Sequence, residues 1–182
     1  MGKLVFGMNI SLDGYVADLS GNLEDMGPPG PKLFNYWIES VRGTAATVYG
    51  RRIYEVMRYW DDDHPEWDEP RREFGKAWRK LPKWVVSRTL HSVGPNATLI
   101  AGDIETQVRE LKARTDGTIS VAGPELAGLM TKFGLIDQYH LLLRPFVLGQ
   151  GKPFFHGARP PLRLVSSELV DDDTVHLTYE PA

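Results

Sequence analysis

The sequence predicts an α/β fold, in which a mostly parallel sheet is flanked by helices on both faces. Short apolar runs typical of strands alternate with segments of helical periodicity along most of the 182 residues. The strand-like runs carry few charges, as expected for strands that are covered on both faces. Near the end, residues 162–170 and 174–180 follow each other around the turn 171–173, which predicts an antiparallel hairpin at one sheet edge.

The first half of the chain begins with an apolar strand, which the chain leaves through the Asp13-Gly14 turn pair. A loop follows at residues 21–30, which include the run Gly-Pro-Pro-Gly. The other predicted elements of this half are a strand at 3–9, a helix at 33–41, a strand at 44–49, a helix at 51–57, a weaker helix at 71–80 and a strand at 83–87. The irregular segment 58–70 contains three adjacent aspartates, which we interpret as a solvated acidic loop rather than a metal site.

The second half continues the alternation of strands and helices. Its predicted elements are a strand at 97–101, a helix from the N-cap candidate Asp103 to residue 114, a strand at 118–122, a helix at 125–133, a strand at 138–144 and a glycine-rich loop at 145–153. Because no repeat or linker divides the chain, we predict one domain over residues 1–182.

The composition excludes several classes of protein. The hydrophobic content of 42% and charged content of 25% indicate a globular chain. A net charge of −3 argues against nucleic-acid binding. The chain has no cysteine, which excludes disulfides, zinc–thiolate sites and thiol nucleophiles, and its five histidines lack metal-ligand spacing. With neither a signal peptide nor a long apolar run, we predict a cytoplasmic protein with no membrane partner and no metal.

Four predicted strand ends carry residues that suit a ligand, at 9–14, 50–53, 87–89 and 123–126. In an open α/β sheet, ligands bind beyond the carboxyl ends of the strands. Three of these ends suit phosphate, which together suggest a dinucleotide. Each could instead be ordinary turn chemistry, and the usual Gly-x-Gly-x-x-Gly fingerprint is absent.

The second of these ends is the most informative. Gly50 lets backbone approach a ligand because no Cβ stands in the way. Arg51 and Arg52 then open a predicted helix, where forked guanidinium donors and the helix dipole favour an anion. The alternative is a close-packed strand–helix turn with solvated arginines.

The same segments resemble the dihydrofolate reductase superfamily, and most of all the bacterial stand-alone proteins related to the reductase domain of bifunctional riboflavin biosynthesis enzymes. The matching segments, in family order, are 11–14, 49–55, 85–90, 121–127 and 134–149. The resemblance implies a dihydrofolate-reductase-like mixed central sheet, NADPH as the cofactor, and a homodimer.

The resemblance also implies roles for individual residues. The implied cofactor-binding residues are Gly50, Arg51, Arg52 and Ile53 near the pyrophosphate and nicotinamide, Ser87, Arg88 and Thr89 near the adenosine 2′-phosphate, and Gly123, Pro124, Glu125 and Leu126 at the pyrophosphate. Asn9, Ser11 and Trp37 would contact the substrate. Asp13 is the candidate for handling a proton or orienting the substrate, and the alternative is a residue that only holds the Asp-Gly turn.

Two positions depart from the family pattern. Folate reductases carry a carboxylate on the first helix. The matching residues 33–37 here have no carboxylate, and the first acidic residue after them is Glu39. Riboflavin-pathway reductases usually carry glutamate two residues before the glycine of the Gly-Pro pair, where this chain has Val121. We therefore expect an NADPH-dependent reductase of a small aminouracil- or pterin-like heterocycle, similar to 5-amino-6-(5-phosphoribosylamino)uracil reductase, but not of folate. The alternative is an NADP(H)-binding sensor or structural dimer without turnover.

Overall fold

The computed structural model describes residues 1–23 and 26–182, so residues 24 and 25 of the predicted 21–30 loop lie outside it. The described residues form ten strands, which in chain order are β1 Lys3–Ile10, β2 Tyr15–Ala17, β3 Thr44–Gly50, β4 Lys83–Val86, β5 Ala97–Ile100, β6 Thr118–Ala122, β7 Gln138–Leu143, β8 Lys152–Pro153, β9 Leu162–Leu169 and β10 Val175–Pro181. Eight of these strands form the main sheet, and β2 pairs with β8 in a separate small sheet.

The main sheet has the strand order β5-β4-β3-β6-β1-β7-β10-β9. The six strands from β5 to β7 run parallel, whereas β10 is antiparallel to β7 and β9 is antiparallel to β10. The predicted mixed sheet with a C-terminal antiparallel hairpin is therefore confirmed. The small β2–β8 sheet has no counterpart in the prediction, because two or three residues are too few to give a periodic signal.

Helices cover both faces of the sheet. They are α1 Pro31–Gly43, α2 Arg51–Met57, α3 Glu69–Lys80, α4 Ile104–Arg114 and α5 Pro124–Lys132. The main core joins Val108 of α4 and Met130 of α5 to sheet residues such as Val48. On the opposite face, Trp78 of α3 donates a hydrogen bond of 3.0 Å to the hydroxyl of Tyr49, whose side chain points away from that of Val48 because neighbours alternate along a strand.

Aspartates hold several helix starts. Asp103 caps α4 by accepting from the Thr106 N–H, as predicted. Asp68 caps α3 in the same way. The acidic turn before β10 is bound to the start of α1, where Asp171 accepts from the Leu33 N–H at 3.4 Å. The C-terminal hairpin is thereby fastened to the first helix, a contact between segments far apart in sequence.

No helix within residues 1–23 and 26–182 is both long and apolar enough to cross a membrane. Across the same residues, no cluster of histidine, aspartate and glutamate side chains is arranged to hold a metal ion.

Candidate functional site

The four predicted ligand-bearing strand ends lie side by side at the carboxyl ends of neighbouring strands. They follow β1, β3, β4 and β6, and these strands are consecutive neighbours in the order β4-β3-β6-β1. All four run parallel, so their carboxyl ends open on the same side. Segments separated by up to about a hundred residues thus form one continuous polar border, at the place where α/β sheets bind ligands.

The two arginines after Gly50 reach opposite parts of this border. The guanidinium of Arg51 donates to Glu55 Oε1 at 3.0 Å and to Thr89 Oγ1 at 2.7 Å, which brings it to the end of β4. Arg52 lies 3.6 Å from Glu125 Oε1, at the start of α5, and remains largely exposed. We expected both arginines to serve one pyrophosphate region, whereas the structure separates them.

Ser87 shapes the turn that follows β4. Its hydroxyl oxygen accepts from the backbone N–H groups of Thr89 at 3.1 Å and Leu90 at 3.0 Å, and the residue itself is buried. Arg88 is exposed on this hydrogen-bonded turn. Its guanidinium makes no salt bridge with any described residue, so this charge is available to an anion. Ser87 therefore positions Arg88 as well as offering its own hydroxyl.

Gly123 and Gly50 differ in whether the fold itself favours glycine. Gly123 has a φ of +104° at the N-cap of α5, a conformation that favours glycine for the fold itself. Gly50 has an ordinary φ of −72°, and a Cβ placed there would approach only Leu126 Cβ at 3.8 Å and the Ala122 carbonyl oxygen at 3.9 Å. The fold thus has room for a small side chain at Gly50, and the packing of the described residues does not require glycine there.

Asp13 joins two loops at the end of the sheet. Its carboxylate accepts from the Ser11 hydroxyl at 2.6 Å and from the backbone N–H groups of Leu148 at 3.1 Å and Gly149 at 2.7 Å. These hydrogen bonds, of which the one from Ser11 has the largest effect, hold the pKa of Asp13 below its usual value. An ionised carboxylate with three donors is suited to anchoring the loops rather than to donating a proton.

Ser11 is fully buried, unlike the substrate contact we expected. Its hydroxyl donates to Asp13, and its oxygen accepts from the Tyr15 N–H at 3.0 Å. Both functions of the hydroxyl are therefore used inside the turn, and Ser11 acts through the position of Asp13.

Asn9 and Trp37 lie together, as the implied substrate-binding role requires. The indole Nε1 of Trp37 donates to Asn9 Oδ1 at 3.1 Å, and both side chains are partly exposed. Because Oδ1 accepts this bond, the amide nitrogen of Asn9 remains a neutral donor at the carboxyl end of β1. No carboxylate of α1 reaches this position, since its only acidic residue, Glu39, pairs with Arg42 at 2.6 Å.

A histidine pair that the sequence analysis did not single out lies under α1. The rings of His140 on β7 and His176 on β10 have centroids 4.9 Å apart, and His176 Nδ1 lies 3.1 Å from Glu168 Oε1. Tyr36 of α1 packs against His176 with centroids 5.3 Å apart. The sequence offered one signal, namely a histidine among the apolar residues of β7, but its pairing with His176 depends on the β7–β10 register.

Burial, with a smaller effect from His176, lowers the pKa of His140 from 6.5 to about 4. Between these values the unfolded chain binds a proton that the folded protein excludes, so stability falls as the pH drops from about 6.5 to about 4. We expect a loss on the order of 2 kcal/mol, reduced from the full value because the ring keeps some contact with solvent. Denaturant unfolding of the protein and of His140→Gln between pH 7 and 4.5 measures this.

The His140→Gln variant should lose less stability than the parent over this pH range, since glutamine does not titrate. The matched control is His91→Gln, because His91 is exposed and should leave the slope unchanged. If the free energy of unfolding falls equally with pH in the parent and in His140→Gln, the loss does not come from His140.

Arg144 holds the loop that precedes α1. It is buried, and its guanidinium donates to the carbonyl oxygens of Gly27 and Pro28, each at 3.0 Å. Burial lowers the pKa of Arg144. Since Arg144 directly follows β7, its side chain ties this loop to the carboxyl end of the sheet.

A groove of about 760 Å³ lies between α1 and the start of α3, apart from the strand ends. Phe34, Ile38 and Trp60 contribute its apolar lining, and Arg42 and Arg71 are among its charged residues. None of the predicted site residues lines it.

The profile of the RibD C-terminal domain matches residues 2–176. The chain belongs to the RibD C-terminal domain family. This membership confirms the resemblance to reductase domains of riboflavin biosynthesis enzymes.

Two relatives match this chain along nearly its whole length. The uncharacterised protein YyaP of Bacillus subtilis (strain 168) is 26% identical over 190 residues, covering 97% of this chain and 94% of the relative. A structure from Shewanella sp. PV-4, whose name refers to riboflavin biosynthesis, has 25% identity and a TM-score of 0.76, covering 100% of this chain and 99% of the other.

Dihydrofolate reductase from Enterococcus faecalis, in complex with NADP(H), has 13% identity and a TM-score of 0.66. The match covers 99% of this chain and 96% of the other. At this identity the similarity shows the fold, which is therefore dihydrofolate-reductase-like.

Proposed function

We propose that the chain acts as a single NADPH-dependent reductase domain of a small, uncharged heterocycle, aminouracil- or pterin-like. The proposal rests on the adjacency of four strand ends, three of them suited to phosphate. They lie at the carboxyl ends of the parallel strands, where α/β sheets bind ligands. Membership in the RibD C-terminal domain family and the fold shared with an NADP(H)-binding reductase support it. The cofactor would supply the hydride, and the protein would bind and orient both reactants.

The proposed cofactor-binding residues form groups along the border, each beside a different part of the cofactor. Arg88 and Thr89, with Arg51 beside them, would hold the adenosine 2′-phosphate. The backbone from Gly123 to Leu126, which opens α5 with Pro124 and Glu125, would hold the pyrophosphate with Arg52 across from it. Gly50 and Ile53, at the junction of β3 and α2, would lie against the dinucleotide between these two points.

The substrate would lie beside β1. Asn9 offers a neutral amide donor that Trp37 orients, and this pair suits a carbonyl group of an uncharged ring. Asp13 would keep the loops after β1 and β7 together around the reactants rather than transfer a proton.

A binding protein without turnover is the second candidate. It is favoured by the hydrogen bonds of Asp13, which occupy the carboxylate that the sequence offered as a proton-handling group. The experiment that separates the two candidates measures NADPH oxidation with a panel of aminouracils and pteridines, together with NADPH affinity. Substrate-dependent oxidation supports the reductase, whereas tight NADPH binding with no oxidation across the panel supports the binding protein.

Dihydrofolate is expected to be a poor substrate. The protonated pteridine of folate needs an acidic partner on the first helix, and Glu39 of α1 is instead paired with Arg42. Steady-state assays with dihydrofolate and NADPH should give rates far below an ordinary enzyme turnover of about 10 per second. A rate within a few-fold of that value would refute the expectation.

We also propose that the protein works in the cytoplasm as a homodimer. The support for the dimer is the sheet edge formed by β9, whose outer side pairs with no strand among residues 1–23 and 26–182.

A further inference from the structure

The groove between α1 and the start of α3 is separate from the border of strand ends. Its α1 residues Phe34, Asn35 and Ile38 lie on one side of that helix. Tyr36 and Trp37, which contact His176 of β10 and Asn9 of β1, point to other sides of the same helix. The groove therefore lies apart from the place where the cofactor and the proposed substrate would bind.

The groove has the size and lining of a small-molecule site. Its volume of about 760 Å³ falls within the range of roughly 300–1,000 Å³ that is typical of ligand pockets. Phe34, Tyr59 and Trp60 supply aromatic surface, and Tyr59 is 47% exposed. Phe74 and Trp67 hold Trp60 in place, with ring centroids 4.6 Å and 4.9 Å from its own. This wall is preformed, so binding would need little ordering of side chains.

Both arginines of the groove are already paired with carboxylates. Arg71 lies 2.6 Å from Asp68. Arg42 lies 2.6 Å from Glu39 and also contacts Glu73. An anion in the groove would have to compete with these carboxylates and would meet their repulsion, so the arginines do not favour an anionic ligand.

Glu69 is the carboxylate with the weakest pairing in the groove. Its cationic partner among the described residues, Lys76, lies 3.9 Å away and is closer to Glu73, at 3.0 Å. The Glu69 side chain is 72% exposed. It belongs to the acidic segment 58–70, which contains six acidic residues and one arginine. Such a concentration of one charge attracts cations to the adjoining surface.

We propose that this groove binds an organic cation with an apolar body, of the quaternary ammonium or phosphonium class. The rings of Phe34, Tyr59 and Trp60 would contact the apolar body, and aromatic faces also attract positive charge. Glu69 would be the ionic partner of the charged centre. The acidic segment 58–70 would raise the local concentration of the cation.

Two probe ions of nearly equal size and shape but opposite charge test the class of ligand. Tetraphenylphosphonium is the cation, and tetraphenylborate is the anion. Isothermal titration calorimetry in sodium buffer measures the dissociation constant of each ion with the protein. We expect tetraphenylphosphonium to bind about tenfold more tightly or better. Saturating NADPH should leave its affinity unchanged, because none of the proposed cofactor-binding residues lines the groove.

Glu69→Gln removes the charge at the groove and keeps the shape of the side chain. This variant should weaken tetraphenylphosphonium binding by about three- to fivefold, as expected for an exposed ion pair. The matched control is Glu66→Gln, which removes the same charge from the same segment but outside the lining of the groove. At about 0.15 M salt, screening should keep the effect of this control below about twofold.

Phe34→Leu removes an aromatic ring and keeps an apolar side chain. It should weaken tetraphenylphosphonium binding by roughly fivefold or more, because the cation loses an aromatic face. Phe34 also stacks on Phe74, with ring centroids 5.8 Å apart, so thermal unfolding checks that the variant is folded. Tyr59→Leu, which removes a more exposed ring, gives the same test if Phe34→Leu does not fold.

A protein that fails to bind tetraphenylphosphonium at millimolar concentration would overturn the proposal. Equal affinities for the two probe ions would also overturn it, because the groove would then accept apolar ligands regardless of charge. Displacement of the cation by NADPH, or equal losses of affinity in Glu69→Gln and Glu66→Gln, would place the cation outside the groove. These readouts are affinities of the probe ions, so they are independent of the reductase assays.

Discussion

Arg88→Ala is expected to weaken NADPH binding by roughly ten- to a hundredfold while leaving NADH binding almost unchanged. The adenosine 2′-phosphate is the only chemical difference between the two cofactors. Arg88 stands exposed on a turn that Ser87 fixes through hydrogen bonds to the Thr89 and Leu90 N–H groups. Dissociation constants for both cofactors, measured at one salt concentration because exposed charges are screened, give the result.

The matched control is Arg52→Ala, on the other side of the border. Arg52 lies next to Glu125 at the start of α5, where the pyrophosphate shared by both cofactors would bind. This variant should weaken NADPH and NADH together. Arg51→Ala should resemble Arg88→Ala, because Arg51 is hydrogen-bonded to Thr89. An unchanged ratio of NADPH to NADH affinity in Arg88→Ala would show that the turn after β4 does not hold the 2′-phosphate.

Gly50→Ala is expected to weaken NADPH binding by roughly tenfold or more with almost no change in thermal stability. The new Cβ would make only ordinary contacts within the protein, the nearest being Leu126 Cβ at 3.8 Å. It would project where the dinucleotide backbone has to approach the end of β3. Calorimetric titration with NADPH and a thermal unfolding curve of the same sample separate the two effects.

Gly128→Ala should show the opposite result. A Cβ at Gly128 in α5 would overlap the carbonyl oxygen of His156, which is backbone and cannot move aside easily. This overpacking should destabilise the fold by about 3 kcal/mol, although α5 contributes to the cofactor site only at its first turn. If Gly50→Ala lowers the melting temperature as much as Gly128→Ala, then Gly50 is required by the fold, and its role at a ligand would lose its support.

The two roles considered for Asp13 require hydrogen-bond partners in different parts of the chain. As a turn residue it would need partners only within the segment 11–15, whereas its carboxylate also binds the backbone of Leu148 and Gly149. It therefore links the loops that follow β1 and β7, the two adjacent strands beside which the substrate would bind. Through this link, the proposed role of Asp13 is to position the loops around the reactants rather than to transfer a proton.

The sequence by itself determined the α/β class, the terminal hairpin and the strand ends that form the border. These features depend on local signals, namely apolar runs, glycines and helix caps, which act over a few residues. The parallel direction of most strands then follows from the helices between them, because a strand reached through a crossover helix runs parallel to the strand before that helix.

Tertiary structure alone decided which side chains meet. Asp13 and Leu148 are 135 positions apart in sequence, and the pairing of His140 with His176 depends on the register of β7 against β10. The divergence of Arg51 and Arg52 depends on which strands flank β3. A bulge at Val165 of β9 arises only from pairing with β10, and it places Arg163 and Glu168 on one face. Local periodicity does not determine such register, because a shift by two residues keeps every side chain on its face and still changes its partners across the strands.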